Sequence, residues 1–249
     1  INQAMKQLIP EGDKNLAVLI MGQEKEGVSL PSESELRSIV NAVRAEKIEA
    51  LVDNTIHEPI MATLPKAGKI VKEDEDKEMG TRIWTLSNGV KVISLKTDYR
   101  EDQIIMSGYS HGGGTNRYND SELANIKLLN GAVNASGLGS FTRNQLTKAL
   151  SGIQVSVSAS IGSNKEVIQG NCVPKDMETM FQLTYLTFTA PLRDDEAYAA
   201  MINRQRTTLE SYDADPMNAF SDALRNNLYA NHPRAKRVMI EDLDKASYE

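Results

Sequence analysis

The sequence predicts an α+β fold built on an antiparallel hairpin backed by helices, and two stretches carry that expectation. From Glu122, the residues Leu123, Ile126, Leu129, Ala132 and Val133 recur at helical spacing and share one face of a helix of about four turns. Further on, Ile153, Val155, Val157, Ala159 and Ile161 alternate with Gln154, Ser156, Ser158 and Ser160, the pattern of a strand with one face on a core and one in water. Gly162 to Asn164 supplies a turn, and Val167 to Val173 runs back. Between helix and hairpin, Gly137 and Gly139 break the chain, and Thr142 with Gln145 makes a capping box for a shorter helix carrying Leu146, Ala149 and Leu150.

Taken in order, the chain opens with a short helical pattern at Ile1 to Ile9. The almost continuously apolar Leu16 to Met21 then suits a strand buried on both faces. Ser32 and Glu35 form another capping box, ahead of an amphipathic helix traced by Leu36, Ile39, Val40, Val43 and Ile48. One strand and one helix cannot close a core, so residues 1–52 read as the C-terminal remnant of a preceding unit. Residues 53–79, with Pro59, Pro65, Gly68 and the charge run Lys72 to Glu78, read as a solvated linker. Thr81 to Leu86, the Asn88-Gly89 turn and Val90 to Leu95 predict a hairpin, and Gln103 to Tyr109 a third strand. Gly112-Gly113-Gly114 is a flexible loop.

Three helices follow the central hairpin. Met177, Met180, Phe181 and Phe188 line the first; Met201, Ile202, Leu209 and Tyr212 the second; Phe220, Ala223, Leu224 and Leu228 the third, with Asp215 as cap and Pro216 at its first position. Residues from Pro233 read as a loop. Residues 80–249 thus form one unit, incomplete at its C-terminal end. Since the chain starts at Ile1 and ends on a polar stretch, it reads as a mature product or a piece of a longer protein, truncated at both ends.

With 40% hydrophobic and 25% charged residues, the composition is that of a globular chain. A net charge of −6 (28 basic against 34 acidic residues) gives no basic footprint for nucleic acid, and no apolar run has the length of a membrane span. A single Cys172 excludes an internal disulfide, and three histidines leave few metal ligands. His57-Glu58 lacks the second His of a zincin and reads as a linker residue. His111 beside three glycines has no Lys, Ser or Thr at P-loop spacing and reads as a loop histidine. His232 reads as the terminal residue of the preceding helix, Cys172 as a small core residue, and Met177, Met180 and Met201 as packing. These residues nominate no catalytic, cofactor-binding or metal-binding position.

The order of elements resembles the M16 zinc peptidases, the insulinase, pitrilysin and mitochondrial processing peptidase group. Leu86-Ser-Asn-Gly-Val-Lys-Val, the strand and Gly-Gly loop after it, the helix from Glu122, the strand Ile153 to Ile161, the helix near Asp176 and the segment Arg204 to His232 carry the likeness, which covers most of Thr81 to Glu249. Asn15 to Leu51 is similar to the end of a preceding unit. The resemblance implies a mostly antiparallel sheet with helices packed on one face, the LuxS/MPP-like metallohydrolase fold, with units closing in pairs around a peptide-holding chamber. A catalytic unit carries H-x-x-E-H on the helix matching Glu122 to Ser136, with two His on one zinc and the Glu as base. Here Asn125 and Leu129 stand at the histidine positions and Leu128 at the base; the distant Glu ligand falls near Thr207 or Thr208, with Glu210 out of register.

The resemblance therefore implies a non-catalytic unit, inactive alone, with zinc in a metal-bearing unit of the parent enzyme and none in this chain. Its implied partners are a peptide or unfolded protein substrate and the other M16 units of the same parent chain. The uncovered ends predict self-association, and the compartment stays open, with the periplasm implied by the family alone. The alternatives are an M16-like structural, assembly or peptide-binding protein without peptidase activity, and an unrelated α+β domain.

Overall fold

The structure, a computed structural model, describes residues 8, 16–22, 27, 29–47, 58–212 and 214–248. It divides into two units, residues 1–53 and 54–249. The helix read at Ile1 to Ile9 lies outside the described residues except for Leu8, which is helical; Ile48 and His57 lie outside them too.

In the first unit, α1 (Glu33–Ala45) starts at the expected box: Glu35 N–H donates to Ser32 Oγ (3.4 Å) and Ser32 N–H to Glu35 Oε2 (2.7 Å). Leu16 to Met21 departs from expectation: it belongs to no strand, and Leu16, Val18, Leu19, Ile20 and Met21 are exposed. The physical reason is a missing ladder. No second strand stands among the described residues of this unit, so continuous apolar sequence has nothing to pair with.

The second unit holds the sheets. In the first, β1 (Ile70–Asp76), β2 (Thr81–Leu86) and β3 (Lys91–Ser94) pair antiparallel in that order. β2 and β3 are the expected hairpin. β1 is a correction: part of the run Lys72 to Glu78 read as linker is a strand, with Asp74 opposite Ile83 and Asp76 opposite Thr81. Its side chains are solvated apart from half-buried Asp76, while its main chain pairs with β2. Charges along an outer strand also discourage a further strand from adding.

In the second sheet β7 (Lys165–Cys172) lies between β4 (Ile104–His111) and β6 (Val155–Ile161), all antiparallel. The third predicted strand therefore pairs with the central hairpin and not with β3. Registers fall in rows: Ile105, Asn171 and Ser156 stand across from one another, as do Ser107, Gln169 and Ser158. These face water. The other face meets α3 (Leu123–Ala135) and α5 (Met177–Thr189), so the helices cover one side of antiparallel strands. Gly170 makes the approach of α5 possible: a Cβ there would lie 2.8 Å from Met180 Sδ, and Met180 is fully buried against it.

After the short α2 (Gly113–Asn116) and α3, the strand β5 (Gly137–Leu138) pairs with β8 (Pro191–Leu192), and α4 (Arg143–Ala149) begins at Thr142, whose hydroxyl accepts from Gln145 N–H. Phe141, Leu146 and Leu183 make one core cluster. α6 (Asp195–Tyr212) and α7 (Pro216–Leu228) follow, and Asp215 Oδ1 accepts from Met217 N–H (2.8 Å) as the predicted cap.

Two expectations about burial are corrected. On α5 the buried residues are Met180, Leu183 and Leu186, whereas Met177, Phe181 and Phe188 face solvent; the helix is apolar on both sides, and only the sheet decides which side is covered. Past Pro233 the chain is not a bare loop. A 3₁₀ turn (Pro233–Ala235) leads to α8 (Ile240–Lys245), whose Leu243 is buried with Leu128 and Leu209 in a second core cluster.

Candidate functional site

The place to test for chemistry is where α3 meets α6, since the resemblance aligns positions on these helices with a base and its metal ligands. Leu128 is buried there, packed with Leu209 of α6 and Leu243 of α8, and half-buried Ile202, Val238, Ile240 and Ala246 close around them. Asn125 is exposed, and its Oδ1 accepts from Ser247 N–H (2.9 Å). Leu129 is half-buried. On α6, the Thr207 and Thr208 hydroxyls donate to the carbonyls of Asn203 and Arg204, bonds within their own helix, and Glu210 is exposed.

Leucine carbon has no lone pair and no transferable proton, so two of the three positions on α3 can neither ligate nor act as base. The residues present do not fit a zinc ion. Among the described residues no group of three or more His, Cys, Asp or Glu side chains converges.

What covers the α3 face instead is the C-terminal segment, held by polar links at several levels. Lys127 Nζ donates to Asp242 Oδ2 (2.8 Å) and to the Arg237 carbonyl (3.1 Å), both side chains of the pair being largely buried. Arg237 Nε donates to Asp222 Oδ2 (2.8 Å) on α7, and its guanidinium lies 4.2 Å from the centre of the Tyr212 ring. Tyr248 stacks on Tyr198 at 4.2 Å, accepts from Asp194 N–H (2.9 Å) and lies 3.2 Å from Ser136 Oγ. Burial pushes the Tyr198 phenol up, with the Tyr248 ring partner adding to it. Sequence reading missed these residues because each pair is fifty or more positions apart or, like Arg237 with Asp222 and Tyr212, joins separate parts of the chain. The one local signal was short: Ile240 and Leu243 at helical spacing, behind the Met239 N–H bond to Asp242 Oδ2.

The glycine loop is closed, not open. Gly113 N–H donates to Glu166 Oε1 (2.9 Å), Gly112 N–H to the Asn164 carbonyl and Gly114 N–H to the Gly162 carbonyl, so the turn of the central hairpin fills the space a ligand would need. Glu166 is held below the usual carboxylate range, first by Gly113 N–H, with Ser110 and the Arg117 guanidinium (3.5 Å) helping against burial. Arg234 fixes the following stretch, donating to the carbonyls of Gly114 (2.7 Å) and Tyr118 (2.5 Å) and to Asp120. His111 is exposed, edge-on to Tyr109 at 5.7 Å.

His232 is placed differently from expectation. It stands beyond Ala230 and Asn231, both left-handed; its main-chain N–H donates to the Tyr229 carbonyl at the end of α7 (2.9 Å), but its imidazole Nδ1 accepts from Arg234 N–H (3.2 Å) and so caps the next turn. Cys172 is buried, its thiol pushed up by burial and by the charge of Asp176, as a core residue should be. Glu58 is exposed. Among the described residues no helix is long and apolar enough to cross a membrane.

No family model matches the chain. A protein of Arabidopsis thaliana described as zinc protease PQQL-like is 26% identical over 210 residues, 84% of this chain and 19% of its own length. The chain spans less than a fifth of the length of the curated relatives it matches. In fold it is similar to the periplasmic protease PqqL of Escherichia coli, with a TM-score of 0.63 at 20% identity over 86% of this chain and 23% of that one. It is equally similar to the ferredoxin protease FusC, solved in complex with Arabidopsis ferredoxin, with a TM-score of 0.63 at 18% identity over 89% and 24%.

Proposed function

We propose, from the premise that this is an M16-like protein, that the chain is the non-catalytic portion of an M16-type zinc metalloendopeptidase. It helps to close the chamber and hold extended polypeptide, while zinc and hydrolysis come from a metal-bearing unit outside residues 1–249. The observation that carries this reading is that Leu128, which the resemblance aligns with the base of a catalytic unit, is buried against Leu209 and Leu243. Zinc in the parent enzyme is supported by the zinc-protease relative, and polypeptide as the class of substrate by FusC, which was solved with a protein bound. The solvated sheet face, with its rows of Ser, Gln and Asn, is suited to lie beside a peptide without selecting its charge.

The test is elemental analysis of the purified chain together with an assay on labelled unfolded casein. The expected result is less than stoichiometric zinc, no cleavage, and saturable binding of the unfolded protein. Stoichiometric zinc with cleavage abolished by a chelator overturns the proposal. Absence of both cleavage and binding overturns the peptide-holding role and favours an assembly protein.

A further inference from the structure

The helix α7 is turned inside out relative to an ordinary surface helix, which buries its apolar stripe and solvates its polar one. Its half-buried residues are Asn218, Ser221, Asp222 and Asn226, all polar. Its apolar residues Met217, Phe220, Leu224 and Leu228 are 65%, 63%, 49% and 71% exposed, and Tyr229 beside them is exposed too. The orientation is fixed by bonds: Asn218 Nδ2 donates to the Tyr212 carbonyl (2.9 Å), and Asp222 is paired to Arg237, itself lodged against Tyr212. Rolling the helix over would bury its apolar side at the cost of stranding that ion pair.

We propose that this face is a homotypic interface, on which α7 packs antiparallel against α7 of a second copy of the same chain. The stripe is self-complementary. About a two-fold axis level with Asp222, Phe220 meets Leu224 of the second copy and Met217 lies beside Leu228 of the second copy, so each contact occurs twice.

The area decides the strength. Five side chains of roughly 170 Å² each, about two-thirds exposed, offer about 500 Å² per copy and about 1,000 Å² in all, the lower edge of specific interfaces. An area at that edge makes the dimer a reversible, concentration-dependent one. α5 also shows apolar residues to solvent, Met177, Phe181, Tyr185 and Phe188, but its opposite side is seated in the core, so it lacks the reversed polarity that singles out α7. This inference is independent of the proposed function.

Sedimentation velocity on the 249-residue chain, from about 1 to 100 μM, tests it alongside two variants. The expected result is a concentration-dependent dimer, lost in the Phe220→Lys/Leu224→Lys double variant with an unchanged far-UV circular dichroism spectrum, and kept in Phe181→Lys. Both α7 residues are exposed, so the double variant folds. A monomer throughout the range overturns the proposal, as does association that survives the double variant or is abolished by Phe181→Lys. A longer chain of the same parent that is monomeric and shields Phe220 from solvent would assign the face to another part of that parent, and would overturn it too.

Discussion

Replacing Leu128 by alanine puts the leucine-filled junction of α3 and α6 to a quantitative test. The side chain is buried, with leucines from two other helices against it. Removing three carbon groups forfeits about 2.4 kcal/mol of transfer free energy at about 0.8 kcal/mol each. A partly collapsed void of roughly 40 Å³ adds about 1 kcal/mol. The expected loss is thus about 3 kcal/mol, which for a domain of this size lowers the melting temperature by about 6–12 °C. Urea unfolding followed by circular dichroism measures it, with an unchanged m-value showing that the folded surface is retained. Leu129→Ala, at a half-buried position, should cost about half as much. The companion change Leu128→Glu puts a carboxyl into a cluster lined by Leu209, Leu243 and other apolar side chains and costs several kcal/mol. A loss below about 1 kcal/mol for Leu128→Ala, or a Leu128→Glu protein as stable as the parent, would mean that the junction is open to water and that its reading as a dry core is wrong.

Two further outcomes follow from the glycine loop and the carboxylates. Gly113→Ala should destabilise by about 3 kcal/mol or more, because φ there is +71° and a Cβ would lie 2.6 Å from main-chain atoms of Gly162 and Lys165; a thermal melt within 2 °C of the parent would contradict it. Glu166 and Asp176 are both held below their ordinary range, first by the N–H groups of Gly113 and Gln154 respectively, so each is more acidic folded than unfolded. Their contribution to stability is complete above the ordinary carboxylate range and is lost as pH falls below about 4 through the folded values. Urea midpoints between pH 6 and pH 3 should fall, and fall less steeply in Asp176→Asn; an identical slope in that variant would remove Asp176 from the account.

Local signals proved the legible ones. The serine alternation of β6, the Thr142–Gln145 box and the Asp215-Pro216 start each depend on residues within a few positions, and each stands where the sequence puts it. Burial was harder, because it depends on what arrives from elsewhere. Lys72 to Asp76 looks like solvent-exposed linker, and its side chains up to Glu75 are exposed, yet its main chain is claimed by β2. Leu16 to Met21 looks buried and is exposed for want of a partner strand. On α7 the apolar stripe was found, but its direction is set by Arg237, beyond the helix itself. At the site, the resemblance assigns Leu128 to the base position, and the structure adds only that this leucine is buried against Leu209 and Leu243. What covers it, a helix formed by Ile240–Lys245, is too short to announce itself by periodicity.

Asn130 reaches from α3 to the rim of the sheet, where its Nδ2 donates to the Ile161 carbonyl (3.0 Å) and its Oδ1 accepts from Ile161 N–H (2.8 Å). A primary amide offers the same donor and acceptor as a peptide group, so this one side chain counterfeits one residue of a neighbouring strand. The rim of β6 is thereby finished off at Ile161 without another strand being supplied. Any segment laid along β6 must stop short of that point, at Val155 to Ala159, which limits it to about five residues or 17 Å. A side chain on a helix thus acts as a ruler for the strand beside it.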